Sequence, residues 1–240
     1  MEAGSPEVAP SDLPPTGAAR GGPQRIPRPP GVRPGDPPPW ASLPAHRRRP
    51  SLDQVRRALE QGPAPRRSPV EVVSNRYSAV LAPLYEDDGE VHVVLTRRAW
   101  HMRSHTGEVS FPGGKQDPGE TLWETALREA HEEIALDPGS VEHVGELHHL
   151  ATVSSRAAIV PYVGVLPERP HLVPNPDEVD AILHVPLHEL LDPEAYRAER
   201  WGVPGLERPI HFFEIPGDTI WGATGAMLVD LLSRITAGAA

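Results

Sequence analysis

The segment 121–134 constrains the fold more than any other part of the chain, because its hydrophobic period and its charges can be read together. At about 100° per residue, one side of a helix that starts at Thr121 collects apolar side chains. These are Trp123, Ala126, Leu127, Ala130 and Ile134. The sequence therefore predicts an amphipathic helix that covers a hydrophobic core.

Three glutamates occupy the adjoining face of this helix. Glu129, Glu132 and Glu133 lie within about 100° of one another, and residues three or four apart in a helix are neighbours. Arg128 can pair with Glu132, but a surplus of negative charge remains. One interpretation is a solvated acidic surface. The other is a site for a hard divalent cation, since such cations prefer oxygen ligands.

A pair of glycines lies between a short apolar strand, 109–111, and the helix. Gly113 and Gly114 have no side chains, so the backbone there can come close to whatever the carboxylates bind. This position supports the cation site, and on these residues alone both interpretations stay open.

Strand-like runs with turn signals between them surround the helix. Residues 87–89 predict a β-hairpin turn, Ser51 and Gln54 form a capping box for an earlier helix, and Thr224 starts the last helix. Strands and helices alternate without the glycine pattern of dinucleotide-binding domains. We therefore expect an α/β domain with a mixed β-sheet and helices on both faces. The strand-like runs are 77–85, 91–97, 141–149, 158–166, 179–185 and 210–215.

Residues 1–50 differ in composition from the remainder and hold 14 of the 31 prolines. A segment with few branched or aromatic residues cannot bury enough apolar surface to offset its ordering entropy. We expect a disordered tail rich in Pro and Arg over 1–50 and one domain over 51–240. A polyproline ligand at 27–30 or 37–40 is the alternative. Deletion of residues 1–50 is expected to leave activity intact.

Charge and cysteine content exclude several classes of function. The net charge of −10 argues against nucleic-acid binding, which depends on Lys and Arg that neutralise phosphates. The chain has no cysteine, so disulfides and thiol chemistry are excluded, and a reducing cytoplasm is the expected location. No apolar run approaches the roughly 18 residues that span a bilayer, so no membrane contact is expected. The oligomeric state, monomer or homodimer, stays open.

The glycines and the helix together resemble the Nudix box. The matching residues are Gly114, Glu120 and the run Arg128-Glu129-Ala130-His131-Glu132-Glu133-Ile134-Ala135-Leu136. The family usually has a glycine at the position of Ala135, where it ends the helix in a left-handed conformation. Alanine there costs about 1 kcal/mol or shifts the cap. The departure affects the end of the helix and not the carboxylates.

The resemblance implies an α/β/α sandwich that hydrolyses a diphosphate linkage with Mg2+ or Mn2+. The implied metal ligands are Glu129, Glu132, Glu133 and the carbonyl of Gly114. In this family the general base is a glutamate of the box or of a later loop. Glu133 is the first candidate here, and Glu178 is the alternative.

The resemblance also gives Arg128 a role. It implies an ion pair between Arg128 and Glu120 that orients the helix and the preceding loop.

The residues upstream of the box are similar to the additional signature of Nudix enzymes that hydrolyse coenzyme A and its thioesters. They are Leu95-Thr96-Arg97-Arg98-Ala99, Arg103, Gly107 and Phe111-Pro112-Gly113-Gly114. The implied products are 3',5'-ADP and 4'-phosphopantetheine, or its acyl form. Guanidinium groups bind phosphate oxygens in a fork, so Arg97, Arg98 and Arg103 are candidate phosphate contacts. Gly113 and Lys115 are further candidate substrate contacts.

Two other functions stay open. The substrate of a Nudix hydrolase could instead be ADP-ribose, a dinucleoside polyphosphate or an oxidised nucleotide. Residues 151–155 contain neither the proline typical of ADP-ribose hydrolases nor the tyrosine typical of dinucleoside polyphosphate hydrolases. A Nudix fold that only senses a nucleotide is the alternative outside enzymes. Intact box charges favour an active enzyme over it.

Overall fold

The computed structural model describes residues 19–67, 77–151, 158–203 and 205–237. Within these ranges, strands and helices alternate along the chain. The elements, in order, are β1 (Arg33–Pro34), α1 (Leu52–Gln61), β2 (Tyr77–Asp87), β3 (Glu90–Arg98), β4 (Val109–Ser110), β5 (Gly113–Lys115), α2 (Leu122–Ile134), β6 (Glu142–Glu146), β7 (Leu150–Ala151), β8 (Ala158–Val165), β9 (Val179–Pro186), α3 (Leu187–Leu190), β10 (Tyr196–Trp201), β11 (Arg208–Ile215), β12 (Asp218–Trp221) and α4 (Gly222–Ala237).

The larger sheet is mixed. Its strands follow the order β4-β3-β2-β8-β6, with β9 beside β3, β5 beside β2 and β7 beside β8. The pair β2–β8 is parallel over 77–84 and 158–165, and the other pairs are antiparallel. The predicted hairpin joins β2 to β3 through Asp88 and Gly89, at φ of 49° and 75°. Two positive φ values in a two-residue turn match the right-handed twist of the strands.

Helices cover both faces of this sheet. On one face, Ala126, Ala130 and Ile134 of α2 pack on Leu81 and Val94 of the sheet. On the other face, α1 and α4 share a larger core with β3 and β9. This arrangement confirms the predicted α/β/α sandwich with a mixed sheet. No helix within the described ranges is long and apolar enough to cross a membrane.

A second, antiparallel sheet lies beside this core and contains residues from both ends of the chain. Its order is β1-β10-β11-β12, and α4 follows β12 directly. The sequence predicted β11 but not β10 or β12. Both missed strands are short, and Glu199 and Arg200 interrupt the apolar pattern of β10.

Residues 19–50 are part of this architecture, so the prediction of disorder is wrong for them; residues 1–18 lie outside the described residues. Trp40 is 2% exposed. Its ring centroid lies 5.6 Å from that of Tyr196 and 6.2 Å from that of Phe213. Proline-rich chain loses little backbone freedom on ordering, and one tryptophan buries a large apolar area. Deletion of residues 1–50 would expose this core, so the expected indifference of activity no longer follows.

Candidate functional site

Helix α2 begins and ends at residues that fix its position. The hydroxyl of Thr121 accepts from the backbone N–H of Glu124 at 3.2 Å, and the Glu124 carboxylate accepts from the Thr121 N–H at 2.7 Å. This reciprocal pair is a capping box. At the other end, Ala135 takes the left-handed conformation, at φ 54° and ψ 28°. The helix therefore ends where the sequence predicted, and alanine adopts the conformation that glycine adopts more readily.

Glu133 is the most deeply placed carboxyl group of the helix, at 9% exposure. Its pKa is raised to about 8, first by burial and then by the charges of Glu129 and Glu178. A hydrogen bond from the backbone of Gly113 and the charge of Arg98 oppose this rise. Burial disfavours the ionised form, and neighbouring carboxylates add to that cost.

Glu129 belongs to the same cluster. Burial raises its pKa, Arg128 lowers it, and the charges of Glu132 and Glu178 raise it further. A Cβ atom at Gly114 would lie 2.4 Å from the carboxyl carbon of Glu129. The absence of a side chain at Gly114 is therefore what lets β5 lie against this carboxylate.

Arg128 connects the loop before the helix to the outer side of the cluster. Its Nε donates to Glu120 at 2.7 Å and its Nη1 to Glu132 at 2.9 Å. Its Nη2 lies 3.0 Å from Glu129 and donates to the carbonyl of Lys115 at 3.1 Å. The pKa of Glu120 is lowered to about 2, chiefly by its hydrogen bond from Arg128. The ion pair expected between Glu120 and Arg128 is present in the structure.

The loop 175–178 brings Glu178 to the buried carboxylates. The backbone N–H of Asn175 donates to the carbonyl of Glu133 at 2.8 Å, so the loop is tied to the last turn of α2. The carbonyl of Glu178 accepts from the N–H of Ala99 at 2.8 Å. The side chain of Glu178 is exposed. These bonds join three parts of the chain at one place: α2, the loop 175–178 and the loop after β3.

The structure separates the basic residues that the sequence grouped together. Arg98 lies close enough to lower the pKa of Glu133, and its Nε donates to the carbonyl of Ser104 at 3.2 Å. Arg97 instead donates to Asp180 at 2.9 Å and to Asp218 at 2.8 Å. Arg103 and the side chain of Lys115 are exposed.

The sequence of this chain is similar to those of known proteins. Residues 75–203 match the NUDIX domain, which is more than half of the chain. This chain belongs to the Nudix family. It is 44% identical over 182 residues to Nudix hydrolase 3 of Caenorhabditis elegans. The match covers 68% of this chain and 74% of that protein.

A bacterial Nudix relative is similar over a comparable length. The uncharacterized Nudix hydrolase NudL of Yersinia pestis (strain Pestoides F) is 37% identical over 166 residues, covering 68% of this chain and 81% of that protein. The crystal structure of a Nudix hydrolase from M. smegmatis, RenU, has a TM-score of 0.47 and 20% identity to this chain, and the match covers 67% of this chain and 85% of that one. A likeness at that level carries no argument about function. The chain is a Nudix hydrolase that acts on the pyrophosphate bond of a nucleoside diphosphate derivative.

Nudix hydrolases generally use divalent metal ions, and the donor chemistry of this cluster fits such an ion. Among the described residues, no three acidic or histidine side chains already stand in the arrangement of a metal-ligand set. Nevertheless, the charges of Glu129 and Glu178 raise the pKa of Glu133. The charge of Glu178 also raises the pKa of Glu129. A divalent cation would remove this repulsion, because hard cations prefer carboxylate oxygens. His101 hydrogen-bonds to the backbone carbonyl of Asp177 in the loop 175–178, and His105 hydrogen-bonds to the side chain of Glu108.

Proposed function

We propose that this Nudix hydrolase cleaves the diphosphate of coenzyme A or a derivative, giving 3',5'-ADP and 4'-phosphopantetheine or its acyl form. One observation carries the proposal. The loop after β3, which has the coenzyme A-type signature, is hydrogen-bonded through Ala99 to Glu178. The charge of Arg98, the last residue of β3, lowers the pKa of Glu133. The residues that resemble the coenzyme A signature therefore adjoin the two glutamates that are candidates for the general base.

The proposed cation is Mg2+ or Mn2+, held by Glu129, Glu132 and Glu133 with the carbonyl of Gly114. Glu132 lies at the rim, where its carboxylate pairs with Arg128, and Glu133 lies inside. When bound, the cation neutralises the diphosphate and increases the acidity of a water molecule. Arg128 holds Glu129 and Glu132 in place for it.

Glu133 is the proposed general base, and Glu178 is the alternative. Both belong to one electrostatic cluster, since the charge of Glu178 contributes to the raised pKa of Glu133. Glu133 is held by α2 and by a hydrogen bond from Gly113, whereas Glu178 is exposed on a loop. A base held in a fixed position suits proton transfer better than one on an exposed loop.

Arg98 and Arg103 are the proposed phosphate contacts, and Gly113 and Lys115 are further proposed substrate contacts. Coenzyme A carries a third phosphate on its ribose, which requires a cationic partner of its own. Arg97 is withdrawn from this role because Asp180 and Asp218 already occupy its guanidinium.

The test is cleavage of a substrate panel by the purified full-length protein with Mg2+ or Mn2+, with products resolved by chromatography. The panel contains coenzyme A, acetyl-coenzyme A, ADP-ribose, NADH and a dinucleoside polyphosphate. Selective release of 3',5'-ADP supports the proposal. Preferential cleavage of another compound overturns the coenzyme A assignment and keeps the Nudix chemistry. Binding without cleavage of any compound, with metal present, indicates a sensing module.

A further inference from the structure

Gln24 is a buried polar residue that lies far outside the Nudix match. Its side chain is 8% exposed, and both ends of its amide have partners. Nε2 donates to Asp218 Oδ1 at 2.6 Å and to the carbonyl of Gly107 at 3.1 Å. Oε1 accepts from the backbone N–H of Thr219 at 3.0 Å. One side chain therefore joins the N-terminal segment to β12 and to the end of the loop after β3.

Asp218 extends this connection to β3. It is almost fully buried, and its second oxygen accepts from Nη1 of Arg97 at 2.8 Å. Nε of Arg97 in turn donates to Asp180, in β9, at 2.9 Å. The four side chains form one chain of hydrogen bonds that we name the Gln24 network: Gln24, Asp218, Arg97 and Asp180.

The loop that the Gln24 network reaches is 99–107, the loop after β3. It is closed at its base, where the N–H of Arg98 donates to the carbonyl of Glu108 at 2.9 Å and the N–H of Gly107 to that of Arg98 at 3.1 Å. Its first residue, Ala99, holds the carbonyl of Glu178. A Cβ atom at Gly107 would lie 2.3 Å from the ring of Trp100, so the loop folds back on itself at this glycine.

The two ends of the loop thus have different supports. The Ala99 end is fixed by the loop 175–178, which belongs to the Nudix domain. The Gly107 end is held by the two backbone hydrogen bonds to Arg98 and, in addition, by Gln24, which lies 83 residues earlier in the chain. A loop whose Gly107 end loses this additional support would sample more positions, and the position of Arg103 would change with it.

We propose that Gln24 is a positioning residue for the loop 99–107, and that residues 19–40 are therefore a functional part of the catalytic unit. Gln24 acts through Gly107 and Asp218 and does not itself touch the reacting atoms. The part of this inference that concerns substrate binding rests on the proposed function. The part that concerns loop order does not.

The test compares full-length wild type with Gln24→Met, which keeps the volume of the side chain and removes its hydrogen bonds. Amide hydrogen exchange of peptides that cover 99–108 reads loop order without any substrate. We expect exchange in this loop to quicken about tenfold in Gln24→Met, while peptides from α2 stay unchanged. A tenfold change corresponds to about 1.4 kcal/mol, the range of one or two buried hydrogen bonds.

Kinetics on the substrate that the wild type cleaves gives the second readout. KM should rise about tenfold with kcat within about twofold, because the chemistry is intact and the loop is misplaced. Arg33→Ala is the matched control: Arg33 is exposed on the same segment and pairs with Glu207, just before β11. It should change neither loop exchange nor KM.

A second variant guards against misfolding of the first. Gln24→Leu removes the same hydrogen bonds without adding a charge beside Asp218, and it should reproduce the loop exchange of Gln24→Met. Unchanged exchange of 99–108 in both variants overturns the proposal. Faster exchange throughout the domain, or a fall in kcat with KM unchanged, also overturns it, because either result indicates a merely structural residue. If the wild type cleaves nothing, the proposed function fails while the exchange experiment still decides the role of Gln24.

Discussion

Two partly buried polar clusters in this molecule are built in opposite ways. In the Gln24 network, the carboxylates of Asp180 and Asp218 face one guanidinium, that of Arg97, and the Gln24 amide is fully hydrogen-bonded. On α2, the charges of Glu129 and Glu178 raise the pKa of the buried carboxyl group of Glu133. We call the first cluster balanced because both of its carboxylates accept hydrogen bonds from Arg97. We call the second unbalanced because neighbouring carboxylates raise the pKa of Glu133.

The difference distinguishes a structural cluster from a reactive one. Burying charge destabilises a fold unless an opposite charge or hydrogen bonds accompany it. The Gln24 network meets that condition, so it stabilises the contact between the two sheets. The α2 cluster meets it only when a cation is added. We infer that the unbalanced cluster is the reaction centre and that the balanced one supports it.

The largest effect is expected at the unbalanced cluster. Glu133→Gln should lower kcat by about 10²- to 10⁴-fold, because the variant loses a metal ligand and the proposed base. The fold should persist, since glutamine resembles the protonated carboxyl group that burial already favours. Glu124→Gln is the matched control on the same helix, because glutamine preserves the capping box. Steady-state kinetics measures both; near-normal kcat in Glu133→Gln would contradict the assignment of the reaction centre.

Breaking the balanced cluster should affect stability instead. Asp218→Ala leaves the partly buried guanidinium of Arg97 with one carboxylate, and should lower the free energy of unfolding by about 3 kcal/mol. Asp36→Ala is the control, because Asp36 is 80% exposed where it pairs with Arg200. An exposed pair of that kind contributes about 0–1 kcal/mol. Urea unfolding of both variants tests the contrast, and equal losses would remove it.

Ala135 gives a smaller effect of opposite sign. Ala135 ends helix α2 in the left-handed conformation, which costs free energy for alanine but not for glycine. Ala135→Gly should raise the free energy of unfolding by about 1 kcal/mol and leave kcat unchanged. Ala130→Gly, in the right-handed part of the same helix, should lower it by at least about 1 kcal/mol. Thermal unfolding checks the two signs, and destabilisation by both would show that the cap is not strained.

The smallest effect concerns Glu120, which pairs with Arg128 of α2. Glu120 has its pKa lowered to about 2 by Arg128, so its ion pair stabilises the fold above the ordinary pKa of 4.5. That contribution is lost as the pH falls from 4.5 through 2. Glu120→Gln should therefore be slightly less stable than wild type near neutral pH, and the difference should vanish in acid. A difference in urea midpoint that does not change with pH would contradict this account.

The sequence predicted the elements whose causes are local. Helix α2, its start at Thr121, the two-residue hairpin and the three glutamates all depend on residues within one or two turns of one another. The Nudix match then extended this local information to the fold and the reaction.

The parts that sequence reasoning missed depend on distant partners. Gln24 and Asp218 are 194 residues apart, and nothing in a proline-rich segment indicates that its tryptophan fills a core formed by β10 and β11. Spacing also could not distinguish Arg97 from Arg98, because only the fold places Asp180 and Asp218 beside the first of them.

The most direct test of the central claim is Mn2+ binding at equilibrium, measured from the free-ion electron paramagnetic resonance signal. Wild type should bind Mn2+ without any substrate, and Glu133→Gln should weaken that binding by at least about tenfold. Asp218→Asn, a change of the same kind in the balanced cluster, should bind Mn2+ as tightly as wild type. Equal Mn2+ affinity in wild type and Glu133→Gln would contradict the claim that a divalent cation binds the carboxylates of α2 and neutralises their charge.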